Sequence, residues 1–140
     1  LLKTMNLQSK ILLIWKQQKK QSRSVLMKYS MFIGRWQPWH KGHRWLIDQR
    51  LENNKNVLIC IRDMETDKNN PFTPEEVKQN LENELSDLIQ DGKVKIIIIP
   101  DIESVNYGRG VGYNVIEHVP PNNIGEISAT KIRQELFEKK

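Results

Sequence analysis

Cysteine is nearly absent. Cys60 stands alone among 140 residues, which excludes a disulfide within the chain and any zinc cluster built on thiolates. It lies in the apolar run Val57-Leu58-Ile59-Cys60-Ile61, where a small buried hydrophobe is expected rather than a nucleophile. Three histidines are too few for a metal centre made mainly of imidazoles, so no protein-only metal site is expected. Long hydrophobic runs are missing too: the apolar residues 11–15 are too few for a signal peptide's hydrophobic region and far too few to span a bilayer. A reducing, cytoplasmic setting without a transmembrane segment is the expectation.

Acidic residues are missing from one part of the chain. Residues 1–27 hold Lys3, Lys10, Lys16, Lys19, Lys20 and Arg23 and no acid, while the other 113 residues carry 16 positive and 17 negative charges. The net charge of +5 therefore belongs to this basic leader, and the near-neutral remainder offers no general nucleic-acid surface. Leu7, Ile11, Ile14 and Trp15 fall on one helical face, and residues 16–24 read as a polar linker. A basic amphipathic segment can lie on a membrane surface or dock on a partner. A loosely ordered tail, or upstream sequence foreign to the natural product, is the blander alternative.

The remainder, residues 28–140, has the length of one domain. Residues 29–33 read as a buried strand ending at Gly34, and a helix is expected over 41–53. Residues 56–61 form an apolar run suited to burial on both faces of a parallel sheet. Thr73-Pro74-Glu75-Glu76 opens a helix with a capping residue, a first-turn proline and a reciprocal glutamate. Its buried face is Val77, Leu81, Leu85, Leu88 and Ile89, and Asp91-Gly92 ends it. A third strand is expected over 94–99, a fourth, short one over 115–119, and a last helix over 129–138. Alternating strands and helices predict an α/β fold, a single-domain, Rossmann-like parallel sheet flanked by helices. Ligands of such sheets bind beyond the carboxyl ends of the strands, where Gly34, Arg62-Asp63 and Asp101 fall.

Chemistry concentrates in two stretches. In Gly34-Arg35-Trp36-Gln37-Pro38-Trp39-His40-Lys41-Gly42-His43, Gly34 ends a strand where backbone must approach something closely, and a phosphate chain suits that geometry. His40 precedes a helix and His43 lies in its first turn, with Gly42 leaving space for a large ligand at an anion-attracting helix N-terminus. Alone, His43 would read as a core histidine beside Leu46, Ile47 and Leu51. Paired with His40, it reads as a donor to phosphoryl oxygens. In Ile127-Ser128-Ala129-Thr130-Lys131-Ile132-Arg133, Ser128 is a natural N-cap. Cations in the first turns oppose the helix dipole unless an anion is bound there.

These two stretches resemble the HxGH signature and the ISxTxIR partner motif of the nucleotidyltransferase superfamily. The GRxQPxH form at residues 34–40 and Asn70-Pro71-Phe72-Thr73 are similar to archaeal-type nicotinamide-nucleotide adenylyltransferases. Ala129 stands where the second motif commonly has glycine, and the stretch 100–125 is short, so the acceptor is less defined than the nucleotide. The resemblance implies transfer of a nucleoside monophosphate, AMP from ATP being expected, to a small phosphate-bearing acceptor, with nicotinamide mononucleotide the leading one. Pyrophosphate leaves, Mg²⁺ accompanies the nucleotide, and no covalent enzyme intermediate is implied. Carried over, His40, His43 and Arg133 are catalytic, and Ile33, Gly34, Arg35, Gln37, Gly42, Ser128, Thr130 and Lys131 join them around the nucleotide.

On the acceptor side, Trp36 or Trp39 would stack on a flat ring or simply pack. Asp63, in an acidic cluster with Glu65 and Asp67, would meet a ribose hydroxyl or Mg²⁺ or be solvated. Arg109, in the glycine-rich loop 107–113, would reach an acceptor phosphate or sit on a plain surface loop. Superfamily members commonly oligomerise, so a homo-oligomer is compatible with the resemblance. The competing readings are transfer to a sugar phosphate, a lipid-precursor phosphate or sulfate, and a nucleotide-binding regulatory module without turnover.

Overall fold

The computed structural model describes residues 5–25, 27–110, 112–125 and 129–138. Its regular elements are α1 (Leu7–Val25), β1 (Tyr29–Gly34), α2 (Lys41–Leu51), β2 (Asn56–Asp63), α3 (Pro74–Glu84), α4 (Ser86–Gln90), β3 (Val94–Pro100), α5 (Asn122–Gly125) and α6 (Ala129–Glu138). The three strands form one parallel sheet in the order β1-β2-β3, so the fold is a small Rossmann-like α/β domain.

The central position of β2 explains its apolar run. Val57, Ile59, Cys60 and Ile61 are buried and Leu58 is half-buried, as fits a strand paired on both edges. Ile47 of α2, Val77 and Leu81 of α3, and Leu85 join Val57, Ile59, Ile61, Val94 and Ile96 in one cluster. Each fully buried aliphatic side chain contributes about 1.5–3 kcal/mol. Both helices thus cover the same face, and the pairing Gly34 with Ile61 and Asp63 with Pro100 brings the three strand ends to one side of the sheet. Arg62 and Asp101 join across that end, Nε to Oδ1 at 2.7 Å.

The helix start at Thr73 forms as its residue types predict. Thr73 Oγ1 accepts from Glu76 N–H at 3.1 Å, and Glu76 Oε1 accepts from Thr73 N–H at 3.2 Å. Gly92, at φ +72°, ends the helical stretch in the left-handed region that glycine adopts freely.

Four expectations are corrected. The helix begun at Pro74 is interrupted: Leu85, at φ −114° and ψ 21°, separates α3 from α4 while burying its own side chain in the core. Residues 16–24 belong to α1 rather than to a linker; lysine, glutamine and arginine are good helix formers, and no glycine or proline stops them. β1 is an edge strand, with Met31 largely exposed, so its apolar residues are only partly buried. Residues 115–119 form no strand: Val115, Ile116 and Val119 are exposed, since an apolar run without a ladder partner gains nothing from extension. His118, given no role by sequence, lies against Phe32, ring centroids 6.3 Å apart. The short helix α5 was not anticipated.

Candidate functional site

The turn from β1 into α2 is built mostly from its own side chains. Trp36 has φ +55°, a left-handed conformation that costs a bulky residue about 1–3 kcal/mol. Burial of its indole and the bond from Nε1–H to the Cys60 carbonyl oxygen at 3.1 Å hold it there. A Cβ on Gly34 would fall 2.9 Å from Trp36 Cε2. The close approach that requires glycine is therefore to the indole, and Gly34 makes room for Trp36 where a phosphate chain was expected. Trp36 itself is committed to the core and presents no open face for stacking.

Gln37 is likewise committed. Its side-chain amide donates to the Phe72 carbonyl at 2.8 Å and accepts from Phe72 N–H at 3.0 Å, which pins the segment 70–73 to this turn. Asn70 is buried beside it and donates through Nδ2 to Asp67 Oδ1 at 3.0 Å. The same Asp67 oxygen accepts from the backbone N–H groups of Asn69 and Asn70 at 2.8 and 2.7 Å. The Asn70 side-chain hydrogen bond, these backbone donors and nearby Arg35 hold the Asp67 carboxyl below its ordinary range. Sequence reasoning left Asp67 in a solvated acidic cluster; the signal it missed is the aspartate two and three residues before Asn69 and Asn70, the spacing of a side-chain-capped turn.

The histidine spacing has a structural cause. His40 is the N-cap of α2 and His43 its third residue, and together they form a reciprocal capping box. Gly42 N–H donates to His40 Nδ1 at 3.0 Å, and His40 N–H donates to His43 Nδ1 at 3.3 Å. With both Nδ1 atoms accepting, each neutral ring carries its proton on Nε2. The rings stack with centroids 3.7 Å apart. His43 also meets Trp36 edge-on at 4.9 Å and Trp39 at 5.4 Å. Burial first, and then the neighbouring His40, push the His43 pKa from 6.5 down to about 3, while burial also lowers that of His40. The pair is neutral at physiological pH. A Cβ on Gly42 would sit 2.8 Å from His40 Cε1, so the space that sequence reasoning gave to a ligand is filled by the His40 ring.

The second stretch meets the first through Arg133. Only 5% exposed, its guanidinium donates from Nη1 to the Gln37 carbonyl oxygen and from Nη2 to Thr130 Oγ1 at 3.2 Å. Residues 96 positions apart are thereby joined. Among the described residues no carboxylate lies within ion-pair distance of Arg133. Its pKa is lowered by burial and by nearby Arg35, with Asp67 opposing. A buried cation facing a second cation and short of a carboxylate is an environment that favours a bound anion.

The structure thus brings together His40, His43, Gly42, Gln37, Thr130 and Arg133, with Arg35 exposed at the same corner. Ile33 pairs with Cys60 at the end of β1, and Lys131 is exposed on α6. Ser128 lies outside the described residues. Asp63 and Arg109 are exposed, and no hydrogen bond or ion pair joins either to the others among the described residues. Burial pushes the Cys60 thiol up, the opposite of what a nucleophile needs. A groove of about 450 Å³, lined by Lys78, Glu82, Ile89, Val94 and Ile96, opens at the other end of β3. The arrangement offers two neutral imidazole N–H donors and two guanidinium groups at the carboxyl end of the sheet, which suits a polyanion.

No family model and no solved structure matches the chain. It is similar to a nicotinamide-nucleotide adenylyltransferase of Saccharolobus solfataricus, 33% identical over 79 residues, which are 54% of this chain and 46% of that protein. The matched part is less than half of the relative's length. This likeness supports a nucleotidyltransferase relationship.

Proposed function

We propose that this chain is a nucleotidyltransferase that moves AMP from ATP to a phosphate-bearing acceptor, with nicotinamide mononucleotide the first to test, and releases pyrophosphate. The observation that carries this reading is the bond from Arg133 to the Gln37 carbonyl oxygen, which sets the start of α6 beside the histidine pair at the α2 N-terminus. Together they account for the HxGH and ISxTxIR resemblances as one site. The likeness to the adenylyltransferase supports the same class of reaction.

In this mechanism the acceptor phosphate attacks the α-phosphorus and pyrophosphate departs from the opposite side. Negative charge shifts onto the non-bridging and leaving oxygens. His40 and His43 donate from Nε2–H to those oxygens. Because both are neutral donors rather than cations, they stabilise developing charge without holding the pyrophosphate product as a fixed positive charge would. Arg133 and Arg35 supply the charge, with Thr130 and the N-terminus of α6 completing the cradle for the outer phosphates. Asp67 Oδ1 already accepts from three N–H donors. In this reading Mg²⁺ comes with the substrate, as Mg·ATP.

The test is pyrophosphate release from Mg·ATP with nicotinamide mononucleotide, with His43→Ala as the control. Release that needs both the acceptor and His43 supports the proposal. Binding of ATP weakened by Arg133→Ala, without release on any phosphorylated acceptor, would leave only the nucleotide site. No ATP binding at all would sink the reading.

A further inference from the structure

A run of exposed large apolar side chains lies on α1, outside the proposed site. Asn6 caps this helix, its Oδ1 accepting from Ser9 N–H at 2.8 Å, and the helix runs for 19 residues, about 28 Å at the rise of an α-helix. Leu7, Ile11, Ile14 and Trp15 fall within a sector of about 100°, and their side chains are 50–73% exposed. Leu12 and Leu13 are exposed as well. Large apolar side chains this open to water mark a surface that is covered by something else.

The charge on the same segment selects the occupant. Residues 1–27 hold six cations and no acid, against 16 cations and 17 acids in the rest of the chain. Lys10, half-buried, and Lys16, exposed, lie outside the apolar sector, where lysine stems can lie along an apolar surface while the ammonium stays in the headgroup region. An RNA would use the cations but leave the isoleucines and leucines in water. A neutral protein groove would use the apolar face but leave six positive charges uncompensated. An anionic bilayer surface satisfies both. No helix among the described residues is long and apolar enough to cross a membrane, so α1 would lie in the surface.

We propose that α1 docks this protein on anionic lipid membranes, its Leu7/Ile11/Ile14/Trp15 face buried among the acyl chains and its cations at the headgroups. This inference does not rest on the catalytic reading.

The full chain is co-sedimented with vesicles of phosphatidylcholine alone and of phosphatidylcholine with equal phosphatidylglycerol. Binding is expected only to the anionic vesicles and should weaken as salt rises. Ile11→Gln/Ile14→Gln, which keeps good helix formers, should abolish it. Lys10→Gln/Lys16→Gln should lower the partition coefficient about tenfold or more. Quenching of fluorescence by brominated lipid should disappear in Trp15→Phe, which locates contact on α1 rather than on the other tryptophans. Equal binding to both vesicles, unchanged binding by Ile11→Gln/Ile14→Gln, or binding to a single-stranded RNA with none to vesicles would each overturn the proposal.

Discussion

The stacked histidines make a stability prediction that does not depend on knowing the substrate. His43 is packed against His40, Trp36 and Trp39, and its pKa falls from 6.5 to about 3. As pH drops below 6.5 the unfolded chain takes up a proton at this position while the folded chain does not, until about pH 3. The unfolded state then binds more protons, so stability rises with pH across this window. The contribution is complete above pH 6.5 and is lost progressively on acidification. At pH 5 the difference amounts to at most about 2 kcal/mol, and partial solvent access will reduce it. His43→Gln removes the titration and keeps a side chain that can accept from the His40 N–H. Urea unfolding of both chains at pH 7.5 and pH 5, at one ionic strength, should show the wild type losing about 1–2 kcal/mol more than the variant. His40 is present in both. Equal losses would show that His43 is not desolvated in the folded protein, and the neutral-donor argument would fall with it.

Three further outcomes follow from the same geometry. Gly42→Ala places a Cβ 2.8 Å from His40 Cε1; although alanine favours a helix, the displaced His40 ring should lower kcat at least about tenfold, with far-ultraviolet circular dichroism unchanged. Arg133→Lys keeps the charge but cannot reproduce the two diverging bonds to Gln37 and Thr130, so urea unfolding should show a loss of about 1–3 kcal/mol and titration a weaker affinity for ATP. A stable variant with unchanged affinity would argue against the anion site. Thr73→Ala removes one half of a capping box and should cost about 1 kcal/mol in thermal unfolding while leaving the histidine pair intact.

How much of this was legible beforehand depended on whether a residue's role was local. The capping box at Thr73, the glycine stop at Gly92 and the largely buried apolar run of β2 are each decided by neighbours in sequence or by one apolar run, and the structure contains all three. The break at Leu85 was not legible, because it is set by where the core needs a side chain. Residues 115–119 failed for a related reason: strand formation needs a partner, and the free edge of β1 is not taken up by them. For the candidate site, sequence identified the clustered residues but misassigned the space at both glycines. Nothing in the order Gly34-Arg35-Trp36 says that Trp36 adopts a positive φ and folds back over Gly34.

That misassignment changes what the spacing of the first stretch means. Gly34, Trp36, Gln37 and Gly42 are consumed in shaping the turn: one glycine admits an indole, the other an imidazole, and the glutamine amide ties down Phe72. The histidines use their Nδ1 atoms to cap α2. What remains for a ligand is the outward set: two Nε2–H groups, the Arg35 side chain, and Arg133 arriving from α6. His43 lies three positions after His40 because that is the distance from an N-cap to the third residue of a helix. The same backbone bonds that start the helix therefore fix both tautomers, leaving the proton of each neutral ring on Nε2. A substitution in the shaping set would disturb the donors without touching any ligand, so loss of activity at Gly42 or Gln37 would be evidence about the turn and not about substrate contact.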